Sequence, residues 1–190
     1  MYKKILFFVC ILFIFSSSNV FKESKSHYFK EDCDRILWSS KRKVVWDDFR
    51  GIPDTSRTNV GALTSSKIEI TENYILNDIP KYVVQCHFIR SESWTRVNDE
   101  STLLHEQLHF DIDELFTRKI RKAFDSLNIK KVKDYQIYDN IYISYGEKCE
   151  TYQKLYDNQV YFNDSKQQQW IKKVGAELLR LKKYEYIPEE

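Results

Sequence analysis

The sequence predicts an α+β fold, in which a small antiparallel sheet is followed by three helices. In the first half of the chain, short apolar and alternating runs are separated by polar turns that contain glycine, proline or asparagine, which is typical of strands. In the second half, apolar residues recur at every third or fourth position, which is typical of amphipathic helices. About 170 residues follow the N-terminal segment, enough for one domain with a hydrophobic core.

The N-terminal segment has the layout of a secretory signal peptide. A short basic stretch, Met1–Lys4, precedes an unbroken apolar run from Ile5 to Phe15, and small polar residues follow it. The apolar run is too short to span a bilayer comfortably as a permanent helix. We therefore expect residues 1–20 to be removed on export and the mature chain to be secreted or periplasmic, with no stable membrane span. An uncleaved amino-terminal anchor is the alternative, because no clear A-x-A cleavage site is present.

The charge composition argues against two classes of partner. The chain has 30 Lys and Arg residues against 28 Asp and Glu residues, and loss of Lys3 and Lys4 with the signal would leave these charges balanced. No basic block or stripe is present, so neither nucleic acid nor an anionic membrane is an expected partner. After the signal we expect a polar tether at residues 21–34, a single domain at 35–184 and a short tail at 185–190.

Three cysteines follow the signal, and they are Cys33, Cys86 and Cys149. An exported chain with an odd number of cysteines forms one disulfide and keeps one thiol, or forms none. The spacings match no zinc ribbon and no C-x-x-C motif. We interpret the cysteines as small buried residues, with their pairing left open.

The strand predictions rest on alternation and on β-branched and aromatic residues. Residues Asn73–Pro80 are expected to form a connection between two strands, and His87 is interpreted as an ordinary surface or half-buried histidine. The expected strands are Ile36–Trp38, Val44–Trp46, Ala62–Thr71 and Tyr82–Arg90.

The helix predictions rest on apolar stripes and on capping signals. Asn98 or Asp99 offers an N-cap for the first helix, and Asp164 with Gln167 resembles a capping box for the last one. Tyrosines of the second helix form a stripe that we interpret as core packing, with Tyr156 excepted. The expected helices are Glu100–Phe124, Lys133–Asp157 and a third that starts at Asp164 and presents Trp170, Val174 and Leu178.

The first helix carries the motif His105-Glu106-x-x-His109. Residues four apart project from the same face of a helix, so the two imidazoles can share one tetrahedral metal ion, usually Zn²⁺. The glutamate between them can then act as general base toward a metal-activated water. Asp111 and Asp113 are candidates for orienting the imidazoles. The pattern therefore predicts metal-assisted hydrolysis, with peptide bonds as the expected substrate.

A longer series of motifs resembles the domain-of-unknown-function 922 family, whose members are predicted to be bacterial secreted or periplasmic zinc-dependent proteases. The resemblance extends from about Trp38 to Leu181. It implies a zincin-like architecture and a Zn²⁺ cofactor at His105 and His109, with an extended peptide substrate paired along an edge formed by the strand Tyr82–Arg90. The motifs are Trp46-x-Asp48-Phe49-x-Gly51, Ala62-x-Thr64-x-Ser66-x-Ile68, Ser93-Trp94, Leu103-Leu104-His105-Glu106-Gln107-x-His109-Phe110-Asp111-Ile112, Arg118-Lys119-x-Arg121, Tyr156-Asp157 and Gln169-Trp170.

The sequence departs from the family at one position. In the family, Tyr-Asp is typically followed by Thr-x-His, and that histidine is the natural third zinc ligand. Phe162 stands at this position, so the third metal ligand is Asp157, Tyr161 or none. The leading hypothesis is an exported zinc metallopeptidase. The alternatives are a catalytically impaired relative that serves as an envelope binding or scaffold module, and a metal-binding protein without hydrolytic activity.

Overall fold

The computed structural model describes residues 33–160 and 163–188. The predicted signal peptide at residues 1–20 lies outside this part of the chain, as do most of the predicted tether and the pair Tyr161 and Phe162. Within the two described ranges, no helix is long and apolar enough to cross a membrane.

The predicted α+β fold is confirmed, because strands occupy the first half of the chain and helices the second. The strands are β1 (Arg35–Leu37), β2 (Ala62–Leu63), β3 (Ser66–Leu76), β4 (Ile79–Ile89) and β5 (Trp94–Thr95). The helices are α1 (Glu100–Ile129), α2 (Tyr135–Val160) and α3 (Asp164–Arg180), and short 3₁₀ turns lie at Trp46–Asp48 and Lys182–Tyr184.

Strands β3 and β4 form a long antiparallel hairpin. Its turn is Asn77-Asp78, whose φ angles of 52° and 62° suit the right-handed twist of the two strands. The prediction that Asn73–Pro80 forms a connection is wrong, since Asn73 pairs with Tyr82 and Ile75 with Pro80. In a two-residue hairpin this second pair is a non-hydrogen-bonded one, so the strand tolerates a proline without an N–H there.

Two further strand predictions are corrected. Val44–Trp46 forms no strand, because the Asp48 carboxylate accepts a hydrogen bond from the Val45 N–H at 3.0 Å and closes a 3₁₀ turn. The predicted strand Ala62–Thr71 is divided in two, since β2 pairs with β5 whereas β3 pairs with β4.

The order of the larger sheet is β1-β4-β3. Strand β4 is therefore the central strand, paired with β1 on one side and with β3 on the other. The expectation that residues Tyr82–Arg90 present a free edge is wrong for His87–Ile89, which pair with β1 on the side away from β3. Of the two long strands, β3 is the one at an edge. His87, on β4, is buried rather than at the surface, with Nδ1 3.3 Å from the Glu69 carboxylate, and it takes no part in the site below.

The motif residues before β2 have a structural role at the end of the sheet. Asp48 is buried and binds Arg42 and Arg90 at 2.8 and 3.0 Å. Gly51 lies directly against the backbone of residues 91–93, and a Cβ there would stand 2.8 Å from the Ser91 carbonyl oxygen. No residue other than glycine fits at this close approach without a shift of the backbone.

Helix α1 is the central helix of the part of the chain that the structure describes. It packs on the sheet through β4 and β3 and also contacts α2 and α3. Its N-cap is Asp99, whose carboxylate accepts the Thr102 N–H at 2.8 Å. Ile112 and Leu115 on its core face are completely buried, and each such side chain contributes about 1.5–3 kcal/mol to stability.

The other two helices differ from their predictions mainly at their ends. Helix α2 starts later and runs longer than predicted, to Val160. The N-cap of α3 is Asn163 rather than Asp164, because the Asn163 side chain accepts the Lys166 N–H. Trp170, Val174 and Leu178 of α3 are buried as expected. Cys86 and Cys149 are buried thiols, as the sequence suggested, whereas Cys33 is exposed.

Candidate metal centre

Three side chains converge where α1 passes α2. His105 and His109 lie one turn apart on α1, with their Nε2 atoms 3.0 Å apart. Asp157 of α2 places Oδ1 2.9 Å from Nε2 of His109 and 3.3 Å from Nε2 of His105. Among the described residues, these three form the one group of histidine, cysteine and carboxylate side chains whose donor atoms lie close enough to hold a metal ion.

The convergence results from two facing polar ladders. On α1 the ladder is His105, His109 and Asp113, and on α2 it is Asp157, Gln153 and Cys149. Each ladder has a spacing of four residues, so its members share one helix face. The contacts follow these ladders in opposite chain directions, so the two helices run antiparallel where they meet.

The donor geometry fits a tetrahedral divalent cation. Bonds of about 2.0–2.1 Å to nitrogen or oxygen give a tetrahedron whose edges measure about 3.3 Å. The three donor separations of 2.9, 3.0 and 3.3 Å lie at or slightly below this value. Small outward movements of the side chains would therefore suffice for binding.

The electrostatics of the cluster favour a positive charge at its centre. Burial disfavours the ionised form of Asp157, but hydrogen bonds from His105 and His109 outweigh it and hold the pKa of Asp157 well below its usual value. Burial likewise disfavours the charged form of His109, yet Asp157, Glu106 and Gln153 together raise the pKa of His109 to about 9. A cation held by the three side chains would be stabilised by the same negative charges.

Tyr156 forms the floor of the cluster. Its ring stacks on His105 with centroids 4.7 Å apart and meets His109 edge-on at 5.1 Å. The side chain is completely buried, and its hydroxyl lies 3.5 Å from the His105 carbonyl oxygen. Burial, together with the charges of Asp157 and Glu106, raises the pKa of the Tyr156 hydroxyl far above its usual value. The sequence interpretation excepts Tyr156 from core packing, and this exception is wrong, because Tyr156 is as deeply buried as any residue of the core.

Glu106 lies beside the cluster on the same turn. It is 4% exposed, and its charge acts on both His109 and Tyr156. Its backbone carbonyl accepts a hydrogen bond from Thr64 Oγ1 at 3.1 Å, which joins this turn to the segment between β2 and β3. No described residue donates a hydrogen bond to the Glu106 carboxylate, so both of its oxygens are free to accept one.

The two aspartates proposed to orient the imidazoles lie in different places. Asp111 faces away from the cluster and accepts hydrogen bonds from Trp38 Nε1 and Lys43 Nζ. Asp113 faces α2 and reaches His109 only through Gln153. Gln153 was not among the residues singled out from the sequence. Its position four residues before Asp157 was the signal that could have identified it.

Of the candidates for the third ligand, Asp157 lies at the cluster, whereas Tyr161 and Phe162 lie outside the described residues. Comparison with family models, curated proteins and solved structures finds no match to this chain. The resemblance to the domain-of-unknown-function 922 family therefore stays a prediction.

Proposed function

We propose that the protein is an exported zinc-dependent metallopeptidase. The observation that carries the proposal is the convergence of His105, His109 and Asp157, with the charge of the neighbouring Glu106 acting on His109. Two imidazoles and one carboxylate are a common ligand set of catalytic zinc, which leaves a fourth position for water or substrate. In this proposal Asp157 replaces the histidine that the family pattern would supply.

Each residue has a separate task in the proposed reaction. His105, His109 and Asp157 hold the zinc ion, which when bound supplies Lewis acidity and lowers the pKa of water. Glu106 accepts a proton on its carboxylate from the attacking water and later donates it to the nitrogen of the leaving amine. The absence of hydrogen bonds from the other described residues leaves that carboxylate free for the transfer. Tyr156 keeps water away from the buried side of His105.

The substrate would pair with the edge at the start of β3. The Ser65 carbonyl accepts the Ile89 N–H, so the backbone groups of its neighbours Thr64 and Ser66 face the open side of the strand. Thr64 also contacts the Glu106 backbone, which sets this edge beside the cluster. An extended peptide can add to such an edge by main-chain hydrogen bonds. Farther along β3, the edge is already occupied at Ile68, because its carbonyl oxygen accepts a hydrogen bond from the Tyr142 hydroxyl.

Metal analysis combined with a peptide library tests the proposal. We expect about one zinc ion per chain, and we expect Glu106→Gln to keep the zinc while its hydrolysis rate falls about 10²- to 10⁴-fold, the usual contribution of a general base. Glu147→Gln is the matched control, because Glu147 is an exposed carboxylate of α2 outside the cluster. A purified wild-type protein with only a small fraction of an equivalent of zinc would contradict the enzyme proposal.

A second candidate is a catalytically impaired relative that serves as an envelope binding or scaffold module. The observation in its favour is Phe162, which stands where the family carries a histidine. Asp157, its replacement, has a side chain that is 53% exposed and therefore less firmly held than a buried ligand. Wild-type protein that leaves every peptide of the library intact, just as the Glu106→Gln variant does, would favour this candidate.

A further inference from the structure

We infer that Gln153 is the positioning residue that sets the tautomer and orientation of His109. The inference rests on the proposed zinc site and adds a residue to it. A histidine offers a metal the ring nitrogen that carries no hydrogen, and the hydrogen bond at the other nitrogen decides which one that is. For His109, the amide of Gln153 makes this hydrogen bond, at Nδ1.

The orientation of that amide follows from the groups around it. Nε2 of Gln153 lies 2.9 Å from the His109 carbonyl oxygen and 2.9 Å from Asp113 Oδ1. A carbonyl oxygen accepts but cannot donate, so the NH₂ group must face the His109 carbonyl. Oε1 is then the atom 2.6 Å from His109 Nδ1.

The amide oxygen can only accept, so Nδ1 of His109 must carry the hydrogen. In the neutral ring this leaves the lone pair on Nε2, the atom that faces Asp157 and His105. The hydrogen on Nδ1 is present whether the ring is neutral or charged. Gln153 therefore holds the ring of His109 in the same orientation in either state, and the neutral ring then presents the lone pair of Nε2 to the metal point.

Gln153 is held by Asp113 of α1, and Asp113 is in turn fixed by two further hydrogen bonds. Asp113 of α1 accepts hydrogen bonds from Gln153, from the Cys149 thiol at 3.0 Å and from the Ser66 hydroxyl of β3. Gln153 also bonds the backbone of the histidine that it orients, so ring and main chain are fixed by one amide. His105 is held differently, by its stacking on Tyr156. The effect of changing Gln153 should consequently fall on His109.

Nitrogen-resolved NMR of the histidine rings and zinc titrations test the inference on three proteins. These are the wild type, Gln153→Leu and the control Gln159→Leu. Gln159 is a matched control, since it lies on the same helix and its amide oxygen also accepts a ring N–H, that of Trp170 at 3.1 Å. Circular dichroism and thermal unfolding of all three show whether each variant is folded.

In the wild type we expect a hydrogen on Nδ1 of His109 that is protected from exchange with water. Gln153→Leu should lose this protected resonance and bind zinc about 10- to 100-fold more weakly, the usual cost of removing a residue that orients a metal ligand. Gln159→Leu should retain both properties. A purely structural role for Gln153 would lower the melting temperature without removing the Nδ1 resonance.

Two results would overturn the inference. One is a wild-type protein in which Nδ1 of His109 carries no hydrogen, which requires no variant and so does not depend on whether Gln153→Leu folds. The other is a folded Gln153→Leu protein that keeps both the protected resonance and wild-type zinc affinity. If the wild type binds no zinc, the proposed function fails, whereas the Nδ1 resonance still decides the role of Gln153.

Discussion

His105 and His109 lie on one turn of α1, whereas Asp157 comes from a different helix. The motif therefore predicted two of the three converging side chains and the neighbouring Glu106, because local helix geometry is enough to place them. From the sequence, Asp157 is one of three possibilities for the third ligand, beside Tyr161 and no ligand at all. Gln153 was missed, because its spacing of four residues from Asp157 places it only on the same face of α2, whereas its contact with His109 depends on how α1 and α2 face each other.

Two variants of Tyr156 separate the contribution of its aromatic ring from that of its hydroxyl group. Tyr156→Phe keeps the ring stacked on His105 and loses only a hydroxyl contact of 3.5 Å, so zinc affinity and stability should change little. Tyr156→Leu removes the stack and leaves a cavity, which should cost about 2–5 kcal/mol in urea unfolding and weaken zinc binding. Equal losses in the two variants would instead assign the role to the hydroxyl.

Asp48 allows a prediction about pH. Burial opposes its ionisation, but the Val45 N–H, Arg42 and Arg90 outweigh it and lower the pKa of Asp48. Because the folded pKa lies below the unfolded one, the stabilisation is complete above about pH 4–5 and is lost as the pH falls through the folded value. At neutral pH, Asp48→Asn should cost about 1–3 kcal/mol. Urea titrations should show this difference shrinking below about pH 4, and a pH-independent difference would contradict the assignment.

At the scale of elements, periodicity predicted the three helices well and the strands less well. The helices are long, so a stripe such as Leu108, Ile112 and Leu115 repeats often enough to identify them. Val44–Trp46 has strand-forming residues, yet the side chain of Asp48 closes a turn there. Strand order was not predictable, because the pairing of β1 with β4 joins segments about 50 residues apart in the chain.

The hairpin turn provides a test at this scale. Asn77 and Asp78 both have positive φ, a conformation that costs residues other than glycine free energy. Asp78→Gly should therefore raise the free energy of unfolding by about 0.5–1 kcal/mol in urea titrations. The control Asn73→Gly lies inside β3, paired with Tyr82, and should lower it. A loss of stability in Asp78→Gly would show that the turn is not strained.

At the scale of the whole molecule, one central helix links the structural core to the proposed chemistry. One face of α1 builds the core with the sheet, and another carries the histidines toward α2. Helix α2 in turn supplies Asp157 as well as Gln153 and the floor residue Tyr156. The proposed site therefore depends on the packing of two helices and on a single residue, Asp157, as its third ligand.

X-ray absorption at the zinc edge tests this claim most directly, with the wild type and Asp157→Asn compared at equal zinc loading. We expect two imidazole nitrogens and a carboxylate oxygen at about 2.0–2.1 Å in the wild type. In Asp157→Asn we expect loss of the carboxylate and weaker zinc binding. An absence of stoichiometric zinc, or a coordination shell that Asp157→Asn leaves unchanged, would contradict the account.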